Sequence, residues 1–248
     1  GNAARGLTNH QSTVVLFDPD TGRLKALVGG NYLTAVRTAA SSAVSIAHLA
    51  RRDAKVLGMV GAGYQSTFQL QAALEQRAFE KVVAWNAHPE HLARLAAICE
   101  EKGIPFEGVS QKELGAQSDV IITITSAFEP LLEADWIKPG THLACMGTDT
   151  RGKQEVDHRL LAQATVFTDE IAQSISIGEA QHAVAAQILS ADQITPIGEV
   201  INGTNPGRQS EEDITLFDGT GVGLQDLAVA SEASRLAEAG GLAQRVTL

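Results

Sequence analysis

Lys55-Val56-Leu57-Gly58-Met59-Val60-Gly61-Ala62-Gly63-Tyr64-Gln65-Ser66 is the stretch that decides the fold. An apolar run over 55–60 reads as a buried strand. A Gly-x-Gly-x-x-small turn follows at once, and a helical pattern over 65–78 opens on that turn. Strand, glycine turn and helix in this order form the context that a dinucleotide fingerprint needs. Gly61 permits the tight turn, Gly63 lets backbone approach a pyrophosphate, and Ser66 is small enough for close helix–strand packing. The helix start then offers N–H groups and the positive end of its dipole to phosphate. Gly61, Ala62, Gly63, Tyr64, Gln65 and Ser66 are therefore candidate cofactor-binding residues. A plain glycine turn without a ligand is the competing reading.

Outward from this motif, strands and helices alternate. Strands are expected at 81–85, 105–109, 119–125, 142–146 and 164–168, with helices over 89–102 and 170–189. Such alternation predicts an α/β fold, a Rossmann-type doubly wound parallel sheet with helices on both faces. At the front, 12–28 reads as a β-hairpin about the Asp18-Pro19-Asp20-Thr21-Gly22 turn, followed by a helix of small residues over 32–51. At the back, a strand at Ile214-Thr215-Leu216-Phe217-Asp218 and a helix over 225–238 are expected. Residues 1–51 and 213–248 are read together as a smaller α+β substrate and dimerisation domain. Residues 52–212 are read as the dinucleotide-binding domain.

The composition narrows the function. Acidic residues outnumber basic ones 29 to 19, and the net charge of −10 argues against a nucleic-acid binder. Only two cysteines, Cys99 and Cys145, are present, too few for a disulfide framework or a four-thiolate zinc site. His88 and His91 lack further ligands at sensible spacing, so no metal is expected. No eighteen-residue apolar stretch and no basic start leading into an apolar run is found, so neither a membrane span nor a signal peptide is expected. The cytoplasm is the default compartment. The end of the second Rossmann strand carries Asn86, where an acid would hold ribose hydroxyls and a nearby Arg would accept a 2′-phosphate. Asn86 leaves the choice between NAD and NADP open, tilted to NAD because no Lys or Arg is adjacent.

Strand ends supply further candidates, because open α/β sheets bind ligands at their carboxyl edge. Thr125 and Ser126 end one strand, and Met146, Gly147, Thr148 and Asp149 end another. Gly219, Thr220 and Gly221 follow a third. Arg37 lies in an otherwise apolar helix and needs a carboxylate partner. Either a substrate carboxylate gripped by its fork or a structural ion pair satisfies it.

Four segments carry a resemblance to a known family: Leu16-Phe17-Asp18-Pro19-Asp20-Thr21-Gly22 with the Leu33–Ala40 helix start, the Gly61–Ser66 fingerprint, Met146–Asp157, and Phe217–Asp226. In order and together, they resemble the ornithine cyclodeaminase/mu-crystallin family. The wording around 9–23, 173–183 and 218–230 is most similar to the branch that reduces iminosuccinate to aspartate. The resemblance implies a nicotinamide cofactor, a small imino or amino acid substrate and a homodimer. It places a carboxylate-binding arginine at Arg37, a cofactor contact at Thr38, and an acid facing substrate and nicotinamide at Glu179. His182 would share a helix face with Glu179 as a second proton carrier. His10, with Ser12 or Arg5, is the candidate site for a second, distal carboxylate. The family also carries an N-terminal region with a substrate-handling lysine, which is expected to be missing from a chain opening at Gly1. Reduction of an α-imino acid is the reading adopted. An ornithine cyclodeaminase-type lyase, an alanine dehydrogenase and a mu-crystallin-like dinucleotide-binding protein are the competitors.

Overall fold

A computed structural model describes residues 2–7 and 11–246. Its strands are β1 (Thr13–Phe17), β2 (Leu24–Gly29), β3 (Val56–Val60), β4 (Lys81–Trp85), β5 (Phe106–Gly108), β6 (Val120–Thr123), β7 (Phe128–Leu132), β8 (His142–Cys145), β9 (Gln154–Val156), β10 (Thr165–Thr168), β11 (Ile194–Pro196) and β12 (Thr215–Asp218). Its helices are α1 (Gly30–Leu49), α2 (Tyr64–Leu74), α3 (Ala93–Lys102), α4 (Gln111–Gln117), α5 (His158–Gln163), α6 (Ile171–Ser174), α7 (Ala180–Ala185), α8 (Ile197–Ile201) and α9 (Gly223–Ala239).

The chain divides into two compact units, residues 1–37 with 222–248, and residues 38–221. In the first unit β1 and β2 pair antiparallel, with Val15 opposite Leu27 and Phe17 opposite Leu24. Those four side chains lie on one exposed face, while Leu16 points the other way and is buried. Period-two alternation accounts for this split in β1, and a register shift between Leu16 and Phe17 brings Leu24 to the same face as Leu27. The hairpin turn is held by Asp18, whose Oδ1 accepts from Thr21 N at 2.9 Å and Thr21 Oγ1 at 2.7 Å.

The second unit is built on an eight-stranded sheet in the order β11-β10-β12-β8-β6-β3-β4-β5, all parallel. From β3 the chain steps outward through β4 to β5, then returns to β6 on the other side. β3 and β6 therefore flank the topological switch point, the place where such sheets bind ligands. Alternate strand residues feed two cores, one per face. Val120 and Ile122 enter one, Ile121 the other; Val82 and Ala84 enter the first, Val83 the second. A parallel sheet covered on both faces requires such unbroken apolar runs.

The expected domain boundaries move. The 51/52 boundary shifts to Arg37/Thr38, and 212/213 shifts to Gly221/Val222. Two packing facts cause this. The end of α1 belongs to the sheet unit, where Ile46 and Leu49 are fully buried. β12, read from sequence as part of the tail domain, is inserted between β8 and β10, and all four of its residues are buried. The helix expected over 170–189 is two short helices, α6 and α7, separated by the turn through Gly178. The small parallel pair β7–β9 and the edge strand β11 escaped the sequence reading.

Within the sheet unit, two guanidinium groups receive the C-terminal end of α1. Arg77 donates from Nη2 to the carbonyls of Ile46 (2.9 Å), Ala47 (3.1 Å) and Ala50 (2.9 Å), and from Nε to Arg51 O at 2.9 Å. Arg208 Nε donates to Leu49 O at 2.7 Å. Ile46 O also accepts from Ala50 N at 3.1 Å, while the carbonyls of Ala47, Leu49 and Ala50 lie past that last helical bond, where a cation suits the negative helix end. Replacing Arg77 by alanine is expected to lower the unfolding free energy by about 2–4 kcal/mol, read by urea titration, with lysine restoring only part of it.

His142 is fully buried between Ser45 Oγ (3.1 Å from Nε2) and Thr215 Oγ1 (3.0 Å from Nδ1). Burial, aided by Arg208 and Arg77, pushes its pKa down to about 3. The unfolded chain takes up a proton at this residue near pH 6.5 that the folded site refuses. Stability from this group is thus present above that pH and lost as pH falls. The slope is at most about 1.4 kcal/mol per pH unit, and it should vanish in H142Q when denaturation midpoints are compared across acid pH.

Candidate functional site

The carboxyl edge of the sheet is built around the exit from β3. Gly61 has φ +105°, and a Cβ there would sit 2.6 Å from Ile124 O. Only glycine fits both the conformation and the space. Gly61 N donates to Trp85 O at 2.9 Å, and Ala62 N donates to Asn86 Oδ1 at 3.0 Å. The loop is thereby tied to the end of β4. Gly63 is exposed, with open space where a side chain would be. It is the N-cap of α2, with no capping side chain and no acid in the first helical turn. The helix start thus presents N–H groups that the helix itself does not satisfy. Gln65 Oε1 is buried without a partner among the described residues. Ser66 is fully buried, and its Oγ donates back to Gly63 O at 2.6 Å. Tyr64 is exposed, its ring against Phe68. An open glycine and an uncapped helix start, whose free N–H groups can donate to phosphate oxygens, fit the diphosphate end of a dinucleotide.

Asn86 also holds the loop in place. Besides accepting from Ala62, it donates from Nδ2 to His88 O at 2.8 Å. Its amide fastens the fingerprint loop to the end of β4.

Along the same edge lies a cluster of buried carboxyl groups, and the sequence reading found only one of them. Glu155 accepts from Thr123 Oγ1 (2.7 Å), Thr125 N (2.6 Å), Thr125 Oγ1 (2.7 Å) and Gly147 N (2.9 Å). It thus joins the ends of β6 and β8. Gly147 must be glycine here, since a Cβ would lie 2.5 Å from Glu155 Oε1 and from Thr125 O. Glu179 accepts from Glu155 N (2.9 Å) and Val156 N (2.8 Å), and its Oε2 shares a hydrogen bond with Thr148 Oγ1 at 2.5 Å. Asp218 Oδ2 accepts from Ser174 Oγ (2.5 Å) and Ala180 N (3.2 Å), while its Oδ1 is buried without a partner among the described residues. Asp169 accepts from Thr220 N (3.1 Å), Thr220 Oγ1 (2.8 Å) and Gly221 N (2.7 Å), fixing the turn after β12. Burial raises the pKa of Glu155 and, with the Glu155 charge added, raises Glu179 to about 8. Burial also pushes Asp218 up to about 7.

This changes the expected place of several residues. Glu179 is 1% exposed, so its carboxyl group lies behind the Gly147–Val156 segment and not on an open face. His182 Nε2 meets Lys153 O at 2.9 Å, again on the inner side of that segment. Thr125 turns its hydroxyl to Glu155 and Thr148 turns its own to Glu179. Ser126 and Asp149 are exposed, and Asp149 Oδ1 pairs with Lys153 Nζ at 2.6 Å. Met146 and Gly219 pack together: a Cβ on Gly219 would meet the Met146 thioether at 2.6 Å. Thr38 is buried in the sheet unit. Glu155, Asp169, Asp218 and Lys153 were missed because nothing local in the sequence marks which strand ends a distant carboxylate will reach.

In the first unit, Arg37 Nε meets Asp226 Oδ1 at 3.3 Å, and Nη1 reaches Gln225 Oε1 at 3.5 Å. The ion-pair partner that its apolar surroundings demanded is present. The contact is made through Nε, and the outer fork has one long contact among the described residues. Ser12 N donates to Asn31 Oδ1 at 2.7 Å, and Ser12 Oγ lies 3.5 Å from Thr34 Oγ1. His10 lies outside the described residues. Among the described residues no group of His, Cys, Asp and Glu is arranged to hold a metal ion, and no helix is long and apolar enough to cross a membrane.

Comparison with known proteins identifies the family. The model of the ornithine cyclodeaminase/mu-crystallin family matches residues 1–238. The iminosuccinate reductase of Paracoccus denitrificans is 58% identical over 247 residues, which is 100% of this chain and 77% of that protein. Its crystal structure in complex with NAD+ superposes with a TM-score of 0.96 at 59% identity, covering 100% of this chain and 76% of that one. An archaeal alanine dehydrogenase dimer with bound NAD gives a TM-score of 0.96 at 32% identity, covering 100% of this chain and 78% of that chain. With a family match over nearly its whole length and a relative of this similarity, the chain belongs to the ornithine cyclodeaminase/mu-crystallin family.

Proposed function

We propose that the protein is an NAD-dependent reductase of α-imino acids, acting on iminosuccinate to give L-aspartate. The observation that carries this reading is the 58% identity to an iminosuccinate reductase along the whole chain, combined with a glycine exit and uncapped helix start suited to a diphosphate. Gly63, Tyr64, Gln65 and Ser66 would receive the diphosphate, and Gly147–Asp149 with Gly219–Gly221 would line the nicotinamide end. When bound, the nicotinamide supplies hydride to the imine carbon. The chain's own part is to position and to shield.

Arg37 is assigned to the substrate α-carboxylate. Its Asp226 contact through Nε holds the guanidinium plane while a carboxylate meets the Nη edge. For the second carboxylate of iminosuccinate the assigned groups are His10 and Ser12, at the start of the hairpin. Glu179 is assigned no contact with substrate, because its carboxyl group is buried. NAD is preferred to NADP on the absence of an Arg or Lys next to Asn86. A homodimer is proposed, supported by the dimeric archaeal relative and by the exposed apolar hairpin face of Val15, Phe17, Leu24 and Leu27. The cytoplasm is proposed as its compartment, in keeping with two buried free thiols.

The test follows NADH and NADPH absorbance with oxaloacetate plus ammonium, and separately with pyruvate plus ammonium, in the full-length protein. NADH oxidation with the first mixture is expected to dominate. Dominance of the pyruvate mixture would make it an alanine dehydrogenase. Ornithine turnover with ammonia release and no net NADH change would make it a lyase. Arg37→Ala should lower kcat/KM by about a hundredfold or more. His10→Ala should raise KM for the dicarboxylic imine and leave kcat nearly unchanged; an unchanged KM would remove His10 from the site.

A further inference from the structure

Three buried carboxyl groups, Glu155, Glu179 and Asp218, sit at the carboxyl edge of the sheet, and among the described residues none is paired with a lysine, arginine or histidine. The neighbouring cation is committed elsewhere: Lys153 Nζ donates to Gly147 O (3.2 Å) and Asp149 Oδ1 (2.6 Å). Several negative charges cannot share a dry site without a cation, so protons must be held there. The hydrogen bonds say where. Glu155 receives four donors, two amide N–H groups and two hydroxyls, and so fits an ionised carboxylate. Glu179 receives only two amide hydrogens, shared mainly on Oε1, and its Oε2 faces a hydroxyl that can accept as well as donate.

We propose that Glu179 works as an uncharged carboxylic acid whose Oε2–H donates to Thr148 Oγ1, making it the positioning residue for the Gly147–Asp149 turn at the coenzyme edge. The proposal rests on that edge being where the coenzyme binds, as argued above. In the neutral acid, Oε1 still accepts from Glu155 N and Val156 N, so one side chain ties the turn after β8 to β9. The ionised Glu155, one residue before Val156, ties the same turn through Gly147 N and the end of β6 through Thr123 and Thr125. The two groups thus act as a neutral and a charged clasp on one loop. Burial is the main reason Glu179 retains its proton, and Glu155 is the second.

Loss of that proton would set two carboxylates against each other and turn the Thr148 contact round. The groups that face Glu179 are Glu155 from β9, Asp218 from β12 and Cys145 from β8, whose thiol is pushed well up by burial and by all three acids. No cation on these elements offsets the added charge. Coenzyme affinity should therefore weaken in alkaline solution as Glu179 ionises around the value of about 8.

The experiment measures NAD+ binding by calorimetry, and carboxyl protonation by infrared difference spectroscopy, in full-length wild type, Glu179→Gln and Glu179→Ala. Wild type should lose roughly tenfold in NAD+ affinity from about pH 7 to about pH 9, since one proton is linked to the loop. Glutamine reproduces the neutral acid, with an amide donor for Thr148 and an oxygen for the two amides. E179Q should bind within about threefold of wild type at neutral pH and show a flat pH profile, while E179A should bind about tenfold or more weakly throughout. Protonated-carboxyl C=O intensity present at neutral pH in wild type should fall in E179Q. Protonated-carboxyl intensity that is undiminished in E179Q relative to wild type, Asp218 accounting for any remainder, or an E179Q affinity as poor as that of E179A, would overturn the proposal. If wild type binds no NAD+ at all, the functional reading fails, while the infrared band still decides the charge state of Glu179.

Discussion

The main chain leaves β3 through a position where no side chain fits. Gly61 combines a left-handed φ with a carbonyl oxygen 2.6 Å from where a Cβ would stand. That one constraint sets the direction of the chain at the switch point of the sheet. It lets α2 begin directly above the strand, and it brings Ala62 N onto Asn86 so that the loop is fastened to β4. A larger residue would push the loop off Ile124 and carry the start of α2 with it. The ability of this edge to receive a diphosphate thus begins with the absence of an atom.

The remainder of the edge is held by carboxylates. Glu155, Glu179, Asp169 and Asp218 each accept from backbone or hydroxyl donors on loops that would otherwise end in unpaired amides. Buried polar groups are costly unless satisfied, so each acid stabilises its loop only because all its donors converge. Orphaned loop amides at strand ends are usually answered by a ligand or water. Here several are answered by the protein, which leaves the outer faces of Gly63 and of the turns after β8 and β12 for what binds. The cost is a concentration of negative charge that only retained protons can relieve. An acidic interior and a preformed edge are consequences of one arrangement.

The sequence reveals the parts of this architecture that are local. The fingerprint, the apolar runs of β3, β4, β6, β8 and β10, and the hairpin about Asp18 are each specified within a few residues, and they stand where periodicity and turn chemistry place them. The 214–218 strand was legible as a strand but not as a central one, because nothing in Thr-Leu-Phe-Asp says which neighbours it will join. The helix over 170–189 broke because Gly178 is a turn residue in an otherwise helical composition. Arg37 was legible as a charge needing a partner, and Asp226, 189 residues away, supplied it. The carboxyl cluster was largely illegible. Glu155 and Asp218 look like ordinary exposed acids in sequence, and their burial follows from a tertiary path that brings β9 behind the ends of β6 and β8.

The central claim is that a dinucleotide's diphosphate rests on the start of α2. A crystal structure of the full-length protein grown with NAD+ tests it most directly. The account predicts density for the two phosphates against the first-turn amides beyond Gly63, with the nicotinamide lying along the Gly147–Asp149 turn. Phosphate density anywhere else, with the α2 start bare in the same crystal, would contradict it.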